Sequence, residues 1–461
     1  MRKLLFVLAT ACLVVLGAAF AAQAGARPYQ VVYFDGHMHT VESDGSGTVE
    51  DIKVAALKRG LSAVFVTNHT KMLTLDEWRD LNRRTRALSE PGFIMLNAFE
   101  VTGSEGLFNR DHVLAWGVTD PFVGDDAKEL APEEVWESPR NPAGTGALYP
   151  ENIAKWTRYI RRHGGISVHA HTTGTTNPAY DVDFIEVFNL SHVKDVAFYA
   201  RAMGFTPAEA WGLGLTLNNM ALYGERDLGM MVTLPGAPVP MPLRSALYAA
   251  TQSMTGVGEV LGGPEAPLRS WDDLLMGYVR GDLKRPTFGV ANSDAHNTYN
   301  VEGHEFSGGS GDVHGDYAND YSDVGEAKNG VLVHRLSRHS LLEAILAGRC
   351  FATTGPSLSF TVNGMQMGET AKVTRRCGRP AILRLKAEAG EPTAVIAQVR
   401  IVRNGETWRT FNPMTPAFDT TLCDGEVQSG YYRVEVTSVD GVSGQYQFAY
   451  SNPVFMKVRG R

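Results

Sequence analysis

Val31-Val32-Tyr33-Phe34-Asp35-Gly36-His37-Met38-His39 is the stretch on which the architecture turns. Four apolar residues read as a short buried strand, and the polar run behind them sets His37 and His39 two positions apart. In extended chain, residues i and i+2 project from one face, so the two imidazoles share a side. The same arrangement recurs along the chain. Residues 61–67 read as a second strand, followed by His69; residues 93–99 read as a third, ending at Glu100. A short strand over 112–117 begins at His112, and residues 166–170 carry His169 and lead to His171. Residues 184–188 read as another strand, and 287–291 as the next, leading to Asp294 and His296. Helices fall between these strands. Thr48 with Asp51 three positions on has capping-box spacing, and Gly60 after Lys58-Arg59 is a stop. Residues 75–88, 151–162 and 272–279 are the other helical stretches. Strand–helix alternation argues for a parallel α/β architecture, open or closed into a barrel. Parallel topology gathers strand ends on one rim, and in barrels that rim carries the active site.

Beyond Gly355-Pro356 the pattern changes. Residues 358–362, 382–387, 395–402, 431–438 and 446–458 are β-rich, and Asn404-Gly405 is a strong hairpin signal. Residues 356–461 therefore read as a small β-sandwich, and residues 25–355 as the α/β domain. Within the latter, residues 206–267 are rich in Met, Gly and Pro and read as an insertion.

With 461 residues, 44% hydrophobic and 20% charged, and only 4 Cys, the chain is neither disordered nor a disulfide scaffold. The net charge of −7 and the lack of any Lys/Arg-rich run argue against a nucleic-acid surface. A small acidic ligand held by a metal is compatible with that balance. Arg2 and Lys3, an apolar stretch over 4–20 and Ala22-Gln23-Ala24 read as a signal peptide, residues 1–24, cleaved before Gly25. The expectation is export to the periplasm or outside the cell, with no membrane span after cleavage. Of the remaining cysteines, Cys377 and Cys423 are candidates to pair, and Cys350 reads as a buried small hydrophobe.

The chemistry sits at the strand ends. Imidazoles mixed with carboxylates suit Zn²⁺, Mn²⁺ or Fe²⁺ rather than Ca²⁺ alone. The candidate ligands are His37, His39, Asp44, His69, Glu100, His112, His171, Asp294 and His296. Their number exceeds what one ion can use, and a carboxylate such as Glu100 could be shared between two. His169, one layer deeper than His171, is a ligand or a support, and Asp35 reads as a group behind the ligands. For each histidine the plain alternative is a packed, hydrogen-bonded strand residue, and for Asp44 a turn residue. Lys71 and Arg110 are solvated loop cations or an anion clamp. Residues 303–330, with several Asp and with His304 and His314, are a surface loop, a lid or an extra cation site.

The strings Asp35-Gly36-His37-Met38-His39-Thr40, Ser43-Asp44-Gly45, Thr67-Asn68-His69, Phe99-Glu100-Val101 and Ser293-Asp294-Ala295-His296 together resemble the polymerase and histidinol phosphatase (PHP) superfamily. Ala347-Gly348-Arg349, Thr353-Thr354-Gly355-Pro356 and Ser451-Asn452-Pro453-Val454-Phe455 resemble its secreted CehA/McbA, carbaryl hydrolase-like branch. The resemblance implies a distorted (β/α)7 barrel that binds two or three divalent ions. It implies one site of His37, His39, Glu100 and Asp294, a second of Glu100, His112 and His171, and a third of Asp44, His69 and His296. The chain departs from many relatives at Asn68, where they carry Asp, and at Thr172, where they carry Pro.

The expectation is a metal-dependent hydrolase, first of all a phosphoesterase acting on a small anionic substrate. A hydroxide bridging two ions would attack, Asp294 would orient or deprotonate the water, Glu100 would bridge the ions, and His296 or a third ion would stabilise charge on the substrate oxygen. The same constellation could cleave a carbamate, ester or amide, and an exported non-catalytic binding protein is the third alternative.

Overall fold

The computed structural model of the protein describes residues 28–101, 112–118, 149–170, 178–190, 193–194, 231–232, 241–242, 271–296, 323–374, 380–442 and 446–459. Outside them lie the expected signal peptide, His171, Arg110, Cys377 and most of the 206–267 insertion and the 303–330 loop. In chain order the first elements are β1 (Gln30–Asp35), α1 (Val49–Lys58), β2 (Ala63–Val66), α2 (Leu75–Leu88), β3 (Ile94–Asn97), β4 (Phe99–Val101) and β5 (Val113–Trp116). Then come α3 (Tyr149–Arg162), β6 (Ile166–His169), β7 (Phe184–Asn189), the short pair β8 (Met231–Val232) and β9 (Met241–Pro242), α4 (Trp271–Arg280) and β10 (Phe288–Asn292).

Local sequence explains the helices. The Thr48 side chain accepts from the Asp51 amide, and Asp51 accepts in return from the Thr48 amide, closing the capping box of α1. Val49, Ile52, Ala55 and Ala56 form its buried stripe. Thr74 and Glu77 close the same motif at the start of α2, whose buried face is Trp78, Leu81 and Thr85.

The strands form two sheets that meet at the site. In one, β1, β2 and β3 are parallel neighbours. The other has the order β10-β7-β6-β5-β4, parallel across β10, β7 and β6 and antiparallel across β6, β5 and β4. The expected parallel alternation thus holds for part of the molecule, in a mixed α/β fold. Residues 102–112 separate β4 from β5, a link shorter than the dozen or more residues a parallel crossover takes. The stretch read as one strand over 93–99 is divided. β3 pairs with β2, and β4 pairs with β5, so the chain passes from one sheet to the other at Ala98.

The remaining elements are β11 (Lys328–Val333), α5 (Arg338–Leu346), β12 (Cys350–Thr353), β13 (Ser357–Val362), β14 (Met365–Gln366), β15 (Thr370–Thr374), β16 (Ala381–Glu388), β17 (Ala394–Arg403), β18 (Glu406–Phe411), β19 (Ala417–Asp424), β20 (Gly430–Asp440), β21 (Tyr446–Ser451) and β22 (Val454–Arg459). Asn404 and Gly405 both have positive φ, 55° and 84°, and turn β17 into β18 as the hairpin signal requires. β1 joins this region directly, because its other edge pairs antiparallel with β11, and β11 continues through β12 to β21. One sheet of 11 strands therefore runs from β3 to the C-terminal strands. A separate sheet, β14-β13-β16-β19, buries alternate residues of β16. Phe360, Leu383 and Leu385 from it share a second core with Ile396, Val399, Val434 and Val436. The first core, around Phe34, Phe65, Trp116 and Phe184, also takes in Tyr431, Tyr450 and Phe455. Cys350 is buried, as expected.

Candidate metal centre

The residues just past the strand ends are stitched to one another through their backbones. The His39 amide donates to Ala295 O at 2.8 Å, and the Ala295 amide donates to His37 O at 3.3 Å. The Thr67 amide donates to Met38 O at 2.9 Å, and the Glu100 amide to Asn68 O at 3.1 Å. The end of β1 is thereby tied to the end of β10, and the end of β2 to β4, so the two sheets converge on one place. Asp294 takes a positive φ of 54° there, a conformation Asp tolerates better than most residues and one often seen at functional sites.

Eight of the nine residues proposed from sequence lie in described chain, and all eight come together. Glu100 is at the centre. Its Oε2 lies 3.2 Å from each of His37 Nε2, His39 Nε2 and His69 Nδ1, and its Oε1 lies 2.6 Å from His112 Nδ1. Asp294 Oδ1 faces His37 Nε2 at 3.1 Å and His39 Nε2 at 3.4 Å. On the open side, Asp44 faces His39 Nδ1 at 3.3 Å, His69 Nε2 at 3.1 Å and His296 Nε2 at 3.5 Å. Three groups emerge whose donor atoms lie within 4.8 Å of one another: His39, Asp44, His69 and His296; His37, His39 and Asp294; and His69, Glu100 and His112. The ninth residue, His171, lies outside the described residues.

This donor set fits divalent cations. Both ring nitrogens of the buried His39 lack a hydrogen-bond partner, although each faces carboxylate oxygen. A nitrogen lone pair facing a carboxylate lone pair is unfavourable unless a proton or a cation lies between them. Mixed imidazole and carboxylate donors are what Zn²⁺, Mn²⁺ or Fe²⁺ bind at about 2.0–2.2 Å. The electrostatics point the same way. Burial opposes the imidazolium of His37, but the carboxylates of Asp294, Glu100 and Glu186 outweigh it and hold its pKa well above the ordinary value. Burial also opposes ionisation of Glu100, yet His37, His112 and His69 hold its carboxyl well below the usual range. The cluster favours positive charge.

Several neighbours place these groups. Asp35 accepts from Ser293 Oγ at 2.5 Å and from the amides of Gly325, Ser293 and His37, tying three loops together behind the ligands. Its burial raises its pKa to about 6 against those hydrogen bonds. His169 is buried and packs edge-on against Tyr180, outside all three groups. Lys71 belongs to the short 3-10 turn Thr70–Met72 that follows His69. One residue escaped the sequence reading. Glu186, buried in the middle of β7, accepts from His37 Nδ1 at 2.8 Å. An acidic residue inside the run Phe184-Ile185-Glu186-Val187-Phe188 was the available signal, since a strand buried on both faces has no solvent to hold a carboxylate.

No family model matches the chain. Uncharacterized proteins of Chlamydia pneumoniae and Chlamydia muridarum are 30% and 29% identical to it over 141 residues, 27% of this chain. The match spans 22% of the length of those curated relatives. Among solved structures, a two-domain protein containing a predicted PHP-like metal-dependent phosphoesterase from Bacteroides vulgatus is similar at 12% identity, over 93% of this chain and 96% of that one, with a TM-score of 0.36. An amidohydrolase from Chromobacterium violaceum, with bound sulfate and no metal, is 18% identical over 47% of this chain and 96% of its own, with a TM-score of 0.25. Neither TM-score reaches the level at which a shared fold is established.

Proposed function

We propose that this chain is an exported metal-dependent hydrolase of the PHP type, with its strand ends closed into a distorted barrel and a phosphoester as its first substrate class. The observation that carries this reading is the convergence of five imidazoles and three carboxylates, drawn from residues 37 to 296, into groups with donor atoms within 4.8 Å. His37, His39, Glu100 and Asp294 would hold one cation, Glu100, His112 and His171 a second, and Asp44, His69 and His296 a third. Bound divalent cations would supply Lewis-acid polarisation of substrate oxygens and activation of water.

The protein's own groups have distinct tasks. Glu100 and His37 are fully buried and form the floor of the site. Asp294, locked by the backbone bonds of Ala295, presents its carboxylate beside both His37 and His39, where it can orient a water and take its proton. At the rim, charge developing on the substrate oxygen would be met either by a third cation held there or, without one, by the part-exposed His296 as a donor.

The test is metal analysis of purified protein together with aryl phosphomonoesters, phosphodiesters, carboxylic esters and carbamates assayed with added Mn²⁺ or Zn²⁺. Bound metal and phosphoester turnover are expected, both lost in the His37→Ala/Asp294→Ala double variant and on chelation. Turnover of esters or carbamates alone would move the substrate class. Full metal content and full turnover in the double variant would overturn the site.

A further inference from the structure

His37 is held from both ends. Its Nε2 faces Glu100 and Asp294 at 3.2 and 3.1 Å, and its Nδ1 meets Glu186 Oε1 at 2.8 Å. Glu186 arrives from β7, a strand that contributes no member of the three groups. Its carboxylate is oriented by two amides. Asn292 Nδ2 donates to Oε1 at 2.9 Å, and Asn189 Nδ2 donates to Oε2 at 2.7 Å. Asn292 in turn receives the Gly36 amide at 3.0 Å on its Oδ1, in the turn that leads to His37. His37, Asn292 and Asn189 thus all donate to this carboxylate, and all four side chains are buried.

We infer that Glu186 is a positioning residue for the metal centre: it fixes the proton of His37 on Nδ1, so that the Nε2 lone pair is aimed at the cation, and its charge strengthens that nitrogen as a donor. The inference rests on the metal-hydrolase reading above. A ring nitrogen bonded to a carboxylate at 2.8 Å must donate its proton, which fixes the tautomer. The imidazole is then rotationally pinned, and the partner carboxylate raises its basicity, as carboxylate–histidine–metal arrangements generally do. Glu186 also adds one negative charge to a cluster that already holds Asp44, Glu100 and Asp294. That charge favours a dipositive ion at His37 without a ligand position being occupied.

The test titrates chelator-treated full-length protein with Mn²⁺ and Co²⁺, comparing wild type, Glu186→Gln, Glu186→Leu, His37→Ala and Asp183→Asn. Glu186→Gln keeps an acceptor for Nδ1 but loses the charge, so its affinity should fall about tenfold; Glu186→Leu loses both and should fall about 100-fold. The visible absorption bands of bound Co²⁺ should shift in Glu186→Gln. Asp183 is the control, because it sits beside β7 and is bonded to Ser167 and Arg161, away from the ligands. Its variant should lower the Tm of the metal-free protein and leave affinity unchanged. Where Glu186→Leu does not fold, Glu186→Gln decides. Wild-type affinity and an unshifted Co²⁺ spectrum in both Glu186 variants, with binding weakened in His37→Ala, would overturn the role of Glu186 and leave the metal centre standing. Affinity losses that only follow the loss of metal-free Tm would do the same. Wild-type protein that binds neither ion would sink the metal-hydrolase reading, and the inference with it.

Discussion

Asn68 stands immediately before His69, and its surroundings explain the amide. Its Oδ1 accepts the Thr40 amide at 2.8 Å, and its Nδ2 donates to Thr40 Oγ1 at 2.6 Å. An amide can do both, and so it ties the loop after His39 to the loop that carries His69. Asn68 is fully buried, so Asn68→Leu would strand the Thr40 amide and should cost about 2 kcal/mol in urea unfolding. Asn68→Asp can still accept from the Thr40 amide and hydroxyl and should remain close to wild type. Equal stability of the Leu variant would show that this bond holds nothing. At this scale the sequence pointed to the residues that cluster and was silent about their supports. A histidine two positions from another declares a shared face. The partner of His37 is 149 positions away, and no local rule connects Glu186 to it.

β10 leads into the candidate ligands Asp294 and His296, yet it is the edge strand of its sheet. Two asparagines complete that edge in place of a neighbouring strand. Asn452, between β21 and β22, accepts the Gly289 amide at 2.8 Å and donates to Gly289 O at 3.0 Å. Asn329 in β11 does the same for Ala291, at 2.8 and 2.6 Å. Gly289 is required at this crowded point, since a Cβ there would lie 2.7 Å from Val187 and 2.9 Å from Trp271. Asn452→Ala would leave a buried N–H and C=O unpaired and should cost about 2–3 kcal/mol by chemical denaturation. It should also lower metal content, because β10 positions Asp294. Unchanged denaturation and full metal content would mean the edge is held by other contacts. The boundaries of α1 were legible because capping is a matter of residues three apart, whereas the matching box of α2, Thr74 with Glu77, was passed over. The break between β3 and β4 was not legible, because the run over 93–99 is apolar but for Asn97 and only pairing partners divide it.

Across the whole molecule, the sheet of 11 strands joins the site-bearing region to the C-terminal strands. A buried ion network reinforces that joint. Arg433 in β20 grips Asp272 of α4 in bidentate fashion, at 2.8 and 2.7 Å, and also pairs with Glu435. Tyr431 donates to the same Asp272 at 2.5 Å, and the guanidinium lies over the Trp271 ring. Burial, and then the neighbouring Asp272 carboxylate, push the Tyr431 phenol well above its ordinary pKa, so it stays a donor. Replacing Arg433 by Met takes the bidentate counter-charge from the buried Asp272 and leaves Glu435 to Arg400, and should cost about 3–5 kcal/mol in thermal or denaturant unfolding. A variant as stable as wild type would show that water or a rearranged Arg400, which already reaches Glu435 at 3.0 Å, takes over the charge.

Local chemistry carried the first level of description. Alternation of apolar runs, one capping motif, one hairpin dipeptide and the i, i+2 histidine pairs are all interactions between near neighbours, and they can be read from a single strand of text. Which edge each strand offers, where the chain changes sheets, and how Glu186, Asn329, Asn452 and Arg433 serve groups far away in the chain are consequences of packing. Those contacts form only when long loops have closed, and closure depends on the total burial of two cores rather than on any short stretch of residues.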